Sequence, residues 1–187
     1  MGWRAPISKH DSSGIALEGG GELHDVTTSA THREIERKFL VTAANWRQAA
    51  QKRDVRQGYL SLDKERTVRV RLAAGKGTIT IKGMSQGIAR PEFEYGIPSE
   101  DARALLDQLC LRPLIEKTRY LVPWGELTWE VDVFEGENEG LIVAEVELAS
   151  EDQEIELPNW IGEEVTGDPR YFNANLVAAP YNSWKAA

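Results

Sequence analysis

Glu34-Ile35-Glu36-Arg37-Lys38 places two carboxylates and an ammonium at every second position. In an extended chain every second side chain projects to the same side. The spacing recurs in Arg69 with Arg71, Thr78 and Thr80 with Lys82, Glu92 with Glu94, Lys117 with Arg119, Glu130 with Asp132, and Glu145 with Glu147. Several of these carry like charges at i and i+2, where a solvated sheet face normally mixes signs with neutral polar residues. Like neighbours repel, and the repulsion calls for a bound counter-charge. Clustered carboxylates suit a hard cation, Mg²⁺ or Mn²⁺, which prefers oxygen ligands, and clustered Lys and Arg suit a polyphosphate. One metal–phosphate complex would satisfy both. Alternation alone is equally compatible with an ordinary sheet that turns its charges to water.

The elements that must position these residues read as strands. Polar and apolar residues alternate from Arg33 to Val41, and similar segments follow near 55–62, 67–73, 78–82, 92–97, 117–122, 127–134 and 141–149. At mostly hairpin spacing these make about eight strands, which suits a closed antiparallel β-barrel in a mostly-β, α+β fold. With the charges inside, Phe39, Val70, Ile79, Ile81, Phe93, Tyr95, Trp129, Val131 and Val146 face outward and need cover. Two flanking helices are predicted. One spans residues 43–52. The other spans 99–111, with Ser99 as its cap, a stripe of Ala102, Leu105, Leu106, Leu109 and Cys110, and Pro113 beyond its end. A short helix is expected to start at Pro158 and another over 171–178. These elements cover only part of the apolar surface, so a homodimer is expected to bury the rest.

Residues 1–31 read as a flexible tail or leader, because Ser12-Ser13-Gly14, Gly19-Gly20-Gly21 and Thr27-Thr28-Ser29 interrupt every apolar run. The folded domain is expected over 32–187. A length of 187 residues with 41% hydrophobic content supports one ordinary domain. The single cysteine, Cys110, precludes an intramolecular disulfide or a thiolate zinc cage. His10, His24 and His32 precede the folded body and form no helical metal motif. A net charge of −8 makes nonspecific nucleic-acid binding an unpromising reading. No stretch matches a membrane span or a signal-peptide core, so a cytoplasmic protein with no membrane partner is expected. Ala73-Ala74-Gly75-Lys76-Gly77-Thr78 lacks the spacing of a phosphate loop and reads as a hairpin turn, and Gly136-Glu137-Asn138-Glu139-Gly140 as a solvated turn.

Glu34–Lys38 resembles the E-x-E-x-K signature of the CYTH superfamily, the triphosphate tunnel metalloenzymes. The resemblance continues in order through Arg69-Val70-Arg71, Lys82, Glu92-Phe93-Glu94, Glu116–Tyr120, Asp132 and Glu145-Val146-Glu147. It implies an eight-stranded antiparallel tunnel with the charges inside and a triphosphate-containing small molecule as substrate. Arg56-Gln57-Gly58-Tyr59-Leu60 and Glu163-Glu164-Val165-Thr166 make the chain most similar to short bacterial inorganic tripolyphosphatases. By that resemblance Glu34, Glu36, Glu145 and Glu147 carry the metal, and Asp132 a second ion or a water. Lys38, Arg69, Arg71, Lys82, Lys117 and Arg119 hold phosphate oxygens. Arg170 joins them less securely, because Asp168-Pro169-Arg170 departs from the family pattern at Pro169. The implied chemistry is direct attack by water, with Lys38, Glu92, Glu94 and Asp132 as the catalytic group and one of the carboxylates as base. The alternatives are a class IV adenylate cyclase, a thiamine triphosphatase and a non-catalytic polyphosphate or nucleotide binder.

The tail composition generates a first prediction. A chain beginning at His32 is expected to keep both its melting temperature and its turnover, and loss of both would show that residues 1–31 dock onto the domain.

Overall fold

The computed structural model describes residues 32–185, so the tail expected over 1–31 lies outside the described residues. Strands β1 (Arg33–Val41), β2 (Gln51–Ser61), β3 (Arg66–Ala73), β4 (Lys76–Gly83) and β5 (Ala89–Ile97) precede helix α1 (Ser99–Gln108). Strands β6 (Ile115–Trp124), β7 (Leu127–Phe134), β8 (Ile142–Glu147) and β9 (Ile161–Glu164), then helix α2 (Asn175–Ala178), follow it. The hydrogen-bonded order β5-β4-β3-β2-β6-β7-β8-β1 is closed by a β1–β5 pairing, Glu34 opposite Arg90 and Ile35 opposite Ala89. The result is the expected eight-stranded antiparallel barrel. Closure removes the free edges that an open sheet of this size would expose.

The sequence pattern missed β9. It pairs with the far end of β1, Phe39 opposite Glu164 and Val41 opposite Ile161, while β8 holds the other edge with Phe39 opposite Ala144. One edge of β1 is thus divided between β5 and β9. Only four residues long, β9 has too short an alternation to register as a strand. The helix expected to start at Pro158 is instead a turn that leads into it.

The expected helix over 43–52 is also corrected. It is one 3₁₀ turn, Asn45–Ala49, and its last residues belong to β2, where Lys52 pairs with Tyr120 and Arg53 with Arg119. Ladder pairing with β6 overrides a weak local helix propensity. Ser99 opens α1 from inside the helix; Pro98 holds the cap position and no side chain bonds there. The expected helix over 171–178 resolves into a 3₁₀ turn, Pro169–Tyr171, and the short α2.

Three apolar clusters hold the barrel. Phe39, Trp129, Val131 and Val146 on its outside pack with Trp46 from the 3₁₀ turn and with Trp160. Helix α1 covers Val70, Leu72 and Ile79 with Ala102 and Leu106, and Cys110 is a core thiol beside them. The third cluster was not anticipated. Ile115, Phe134 and Val143 share the inward face with Lys117, Asp132 and Glu145 by strand parity, and they pack on Val165, Tyr171, Leu176 and Val177. The lumen is therefore charged towards one end and apolar towards the other, where the C-terminal segment packs. Ile81, Phe93 and Tyr95 stay exposed on the outside of β4 and β5. Among the described residues no helix is long and apolar enough to cross a membrane.

The β3–β4 hairpin turns through Ala74 (φ 48°) and Gly75 (φ 76°), between Ala73 and its partner Lys76. Positive φ at both central residues marks the turn class that favours Asn-Gly. A non-glycine Ala in that region is strained. Ala74→Asn is therefore expected to stabilise the fold by about 0.5–1 kcal/mol, read as a higher urea midpoint at unchanged slope; a lower midpoint would refute the turn assignment.

Candidate functional site

The charged end of the lumen is a cavity of about 590 Å³. Its wall carries Glu34, Glu36 and Lys38 from β1, Arg69 and Arg71 from β3, Lys82 from β4 and Glu92 and Glu94 from β5. Arg119 from β6, Glu130 from β7 and Glu145 and Glu147 from β8 continue the ring of charge, and Arg90 from β5 and Lys64 from the β2–β3 loop also line it. Each strand residue reaches the lumen because its strand alternates, the opposite face being packed in the outer apolar clusters except at Ile81 on β4 and Phe93 and Tyr95 on β5, which stay exposed.

Most of these charges are paired across strands. Lys38 bonds Glu145, its register partner, and lies 3.7 Å from Glu36. Lys82 sits 2.7 Å from Glu34 and 2.8 Å from Glu92. Arg69 reaches Thr80 at 3.0 Å and Glu94 at 3.4 Å. Arg119 holds Asp132 through two nitrogens, at 2.7 and 2.6 Å, and also contacts Glu130 and Glu145. The segregation of sign along each strand is thus largely answered by the neighbouring strand. The exceptions locate the chemistry. Among the described residues Arg71 has no carboxylate partner and makes only a 3.4 Å contact to Gln57. Glu147 stands directly across from Glu36 and has no basic partner among the described residues.

The electrostatics follow from this pairing. Burial lowers the Arg71 guanidinium to about 10, helped by the charges of Arg69 and Arg119. Burial also raises Glu147, and the like charges of Glu34, Glu92, Glu130 and Glu36 add to it. For Lys38, burial works against the charged form but is outweighed by Glu145, Glu36 and Asp132, and the ammonium is raised. Glu145 is likewise penalised by burial, yet Lys38, Arg119 and Lys117 hold it well below the usual carboxylate range. Burial brings Lys117 down to about 8, because the charge of its partner Asp132 is shared with Arg119.

Lys117 and Asp132 do not stand on the cavity wall. Both side chains are 0% exposed, joined at 2.5 Å, with Asn173 3.2 Å from the Lys117 ammonium. Asp132 accepts from Arg119 and Lys117 through both oxygens, and with no exposure it holds cations in place from behind the wall instead of facing the lumen. Arg170 is not brought into the cavity: it is 63% exposed and paired with Asp168. Sequence reasoning missed Arg90, which stands on the wall and contacts Glu34 and Glu36. Extending the alternation of Glu92 and Glu94 back by one step would have found it. Gln57 and Asn173 carry no formal charge and gave no such signal, whereas Thr80 shares its face with Lys82 as the alternation implied.

Among the described residues no three acidic or histidine side chains converge into a preformed metal cage. The residues nevertheless fit a hard divalent cation. Glu147 lacks a counter-cation, faces Glu36 across the sheet and has its carboxyl raised partly by Glu34 and Glu36, so a dication there would relieve all three.

Comparison with known proteins agrees with this geometry. The CYTH domain model matches residues 32–181, and the chain belongs to that family. It is 50% identical to the inorganic triphosphatase of Acetivibrio thermocellus over 153 residues, covering 82% of this chain and 98% of that protein. It is 39% identical to the inorganic triphosphatase of Nitrosomonas europaea over 150 residues, 77% of this chain and 96% of the other. Among solved structures, an inorganic triphosphatase crystal structure matches with a TM-score of 0.58 at 36% identity, over 77% of this chain and 97% of that one. A Pyrococcus horikoshii protein matches at 0.52 and 21% identity, over 64% and 80%, and shares the fold.

Glu145 is the carboxylate on which Lys38 and Arg119 both depend. Removing one member of a buried ion-pair network leaves uncompensated charge, so Glu145→Gln is expected to cost roughly 3 kcal/mol. The pH dependence has a definite sign. A carboxyl held below its unfolded value contributes stability that is present above the ordinary carboxylate range and is lost as pH falls through its folded value. The melting temperature of the wild type should therefore drop on acidification below that range, and less steeply in Glu145→Gln. Equal acid limbs would refute the assignment.

Proposed function

We propose that this protein hydrolyses inorganic tripolyphosphate to pyrophosphate and orthophosphate, with a divalent cation bound in the barrel. The observation that carries this reading is the pair of uncompensated opposite charges in one cavity, Arg71 without an anion and Glu147 without a cation. A buried charge network is a poor way to stabilise a fold, since each ion costs several kcal/mol to desolvate and apolar replacements are often neutral or better. Its occurrence in a barrel otherwise rich in apolar packing points to a ligand.

In this reading Glu34, Glu36, Glu145 and Glu147 hold the metal, which is Mg²⁺ or Mn²⁺. When bound, such an ion neutralises phosphate charge and lowers the pKa of coordinated water. Arg69, Arg71, Lys82, Arg119 and Lys38 grip the phosphate oxygens from several walls at once. Phosphoryl transfer depends mainly on alignment and on charge stabilisation at the equatorial and leaving oxygens, and a fixed ring of cations supplies both. Lys117 acts from behind the wall through Asp132 and Asn173. Of the three base candidates, Glu94 fits the role best: one carboxylate oxygen accepts from Thr80 and Arg69, and the other has no protein partner. Glu92 is held below its ordinary value: burial works against this, but Glu34 and Lys82 outweigh it, and that weakens it as a base. Asp132 is fully buried off the cavity wall, out of reach of a water in the lumen.

Tripolyphosphate is favoured over ATP or thiamine triphosphate because Tyr59 and Phe172 are the aromatic residues among the described lining, too few to build an evident base-stacking slot. The two relatives that cover most of the chain are both inorganic triphosphatases, which supports the same substrate. Initial rates on the three substrates with Mg²⁺, Mn²⁺ and a chelator test the reading. Tripolyphosphate should give the highest kcat/KM, release pyrophosphate and phosphate in equal amounts, and fall to background with the chelator. Cyclic AMP as the main product from ATP, at higher efficiency, would sink it in favour of a cyclase.

A further inference from the structure

The Glu34 carboxylate is held by two cations at once. The Lys82 ammonium lies 2.7 Å from each of its oxygens, and Arg90 Nε lies 2.7 Å from Oε2. Arg90 also reaches Oε1 of Glu36 with Nη2 at 3.4 Å, so a single guanidinium spans both carboxylates of β1. The two cations are anchored differently. Lys82 has an independent partner in Glu92, opposite it in the sheet at 2.8 Å. Arg90 has no carboxylate contact other than Glu34 and Glu36 among the described residues. It stands on the cavity wall, 28% exposed, with room to turn.

We propose that Arg90 is the counter-cation of the metal-free site. It holds Glu34 and Glu36 together when no divalent cation is bound, releases them when one binds, and then presents its guanidinium to the phosphate chain. This rests on the reading of Glu34 and Glu36 as metal ligands. The lone pairs that Arg90 occupies are those a hard cation requires, so the two compete for the same oxygens. Without either, the carboxylates of β1 and Glu147 would repel one another. An arginine suits both states, because its planar fork matches carboxylate and phosphate oxygens alike. Metal entry therefore leaves Arg90 without its carboxylates until the anion arrives. It frees a donor on the wall where the anion is to sit, and it couples metal binding to substrate binding.

Titration of Mn²⁺ into the full chain without triphosphate, followed by calorimetry, tests the competition. Arg90→Gln should tighten Mn²⁺ by at least about fivefold, while Arg90→Lys, which keeps the charge, should stay near wild type. At saturating Mn²⁺, Arg90→Gln should raise the KM for tripolyphosphate by a larger factor than it lowers kcat. In the wild type, the Arg90 Nε–H resonance should move along the Mg²⁺ binding isotherm, a measurement that stands even if the variants fail to fold. Unchanged or weaker Mn²⁺ affinity in Arg90→Gln, or a stationary Arg90 resonance through a titration that raises the melting temperature, would overturn the proposal. Glu34→Gln and Glu36→Gln separate the two failures. If they abolish Mn²⁺ binding while Arg90→Gln leaves it unchanged, the metal site stands and Arg90 is no competitor. If they too leave it unchanged, the metal reading falls and takes the proposal with it.

Discussion

Charge taken out of water must be answered by charge, and inside a closed barrel the answer can come only from a neighbouring strand or from a ligand. That constraint organises this molecule. Lys38 is answered by Glu145, Lys82 by Glu34 and Glu92, and Arg119 by Asp132, each across one or two strand spacings. Register is therefore fixed from both sides of the sheet. A slip of one residue would put Trp129, Val131 and Val146 in the lumen and the lysines and glutamates under Trp46 and Trp160. Few folds penalise a register error so heavily on both faces at once.

The same constraint explains why the lumen is divided. Charge cannot fill a barrel end to end without a matching supply of partners. Beyond Lys117 and Asp132 the inward face gives way to Ile115, Phe134 and Val143, packed on Leu176 and Val177. Those apolar residues pack behind the Lys117–Asp132 pair, and in a low-dielectric surrounding the field of a fully buried pair is stronger than it would be in water. The open end keeps Glu147 on the cavity wall, where compensation is incomplete.

Much of this was legible in the sequence, for a physical reason. A strand buried on its outer face and charged on its inner one gives the clearest period-2 signal a sequence can carry, and all eight barrel strands were readable from it. What escaped was set by other forces. β9 is four residues long and exists because β5 leaves one edge of β1 unpaired beyond Ile35. The residues after Trp46 carry a helix-like composition but are claimed by pairing with β6. The apolar end of the lumen obeys the same alternation as the charged end, so parity could not separate a plugged stretch from an open one. Arg90 was hidden because Pro91 interrupts the polar run, though its parity with Glu92 and Glu94 is intact. Arg170 was placed by resemblance rather than by any strand, and the structure leaves it exposed outside the cavity, whereas Lys117 and Asp132 lie off the wall but keep the inward parity of their strands.

Internal pairing changes what ligand binding must accomplish. In a lumen of bare like charges, a metal–anion complex would bind by relieving repulsion already built into the fold, at a large cost to stability before it arrived. Here nearly every carboxylate already holds a cation and nearly every cation a carboxylate, so in the proposed function binding would be an exchange: the metal would take carboxylates from Lys and Arg, and the phosphates the cations so released. The desolvation cost of the charged groups is met at folding and need not be met again at binding, which is the condition under which fixed dipoles and charges stabilise a transition state most. Neither partner completes the exchange alone. A metal without the anion would strand guanidinium groups, and an anion without the metal would face Glu147 and its neighbours unscreened. On the proposed function the cavity would therefore favour the complex over either of its parts, a preference that comes from the pairing pattern rather than from any single residue.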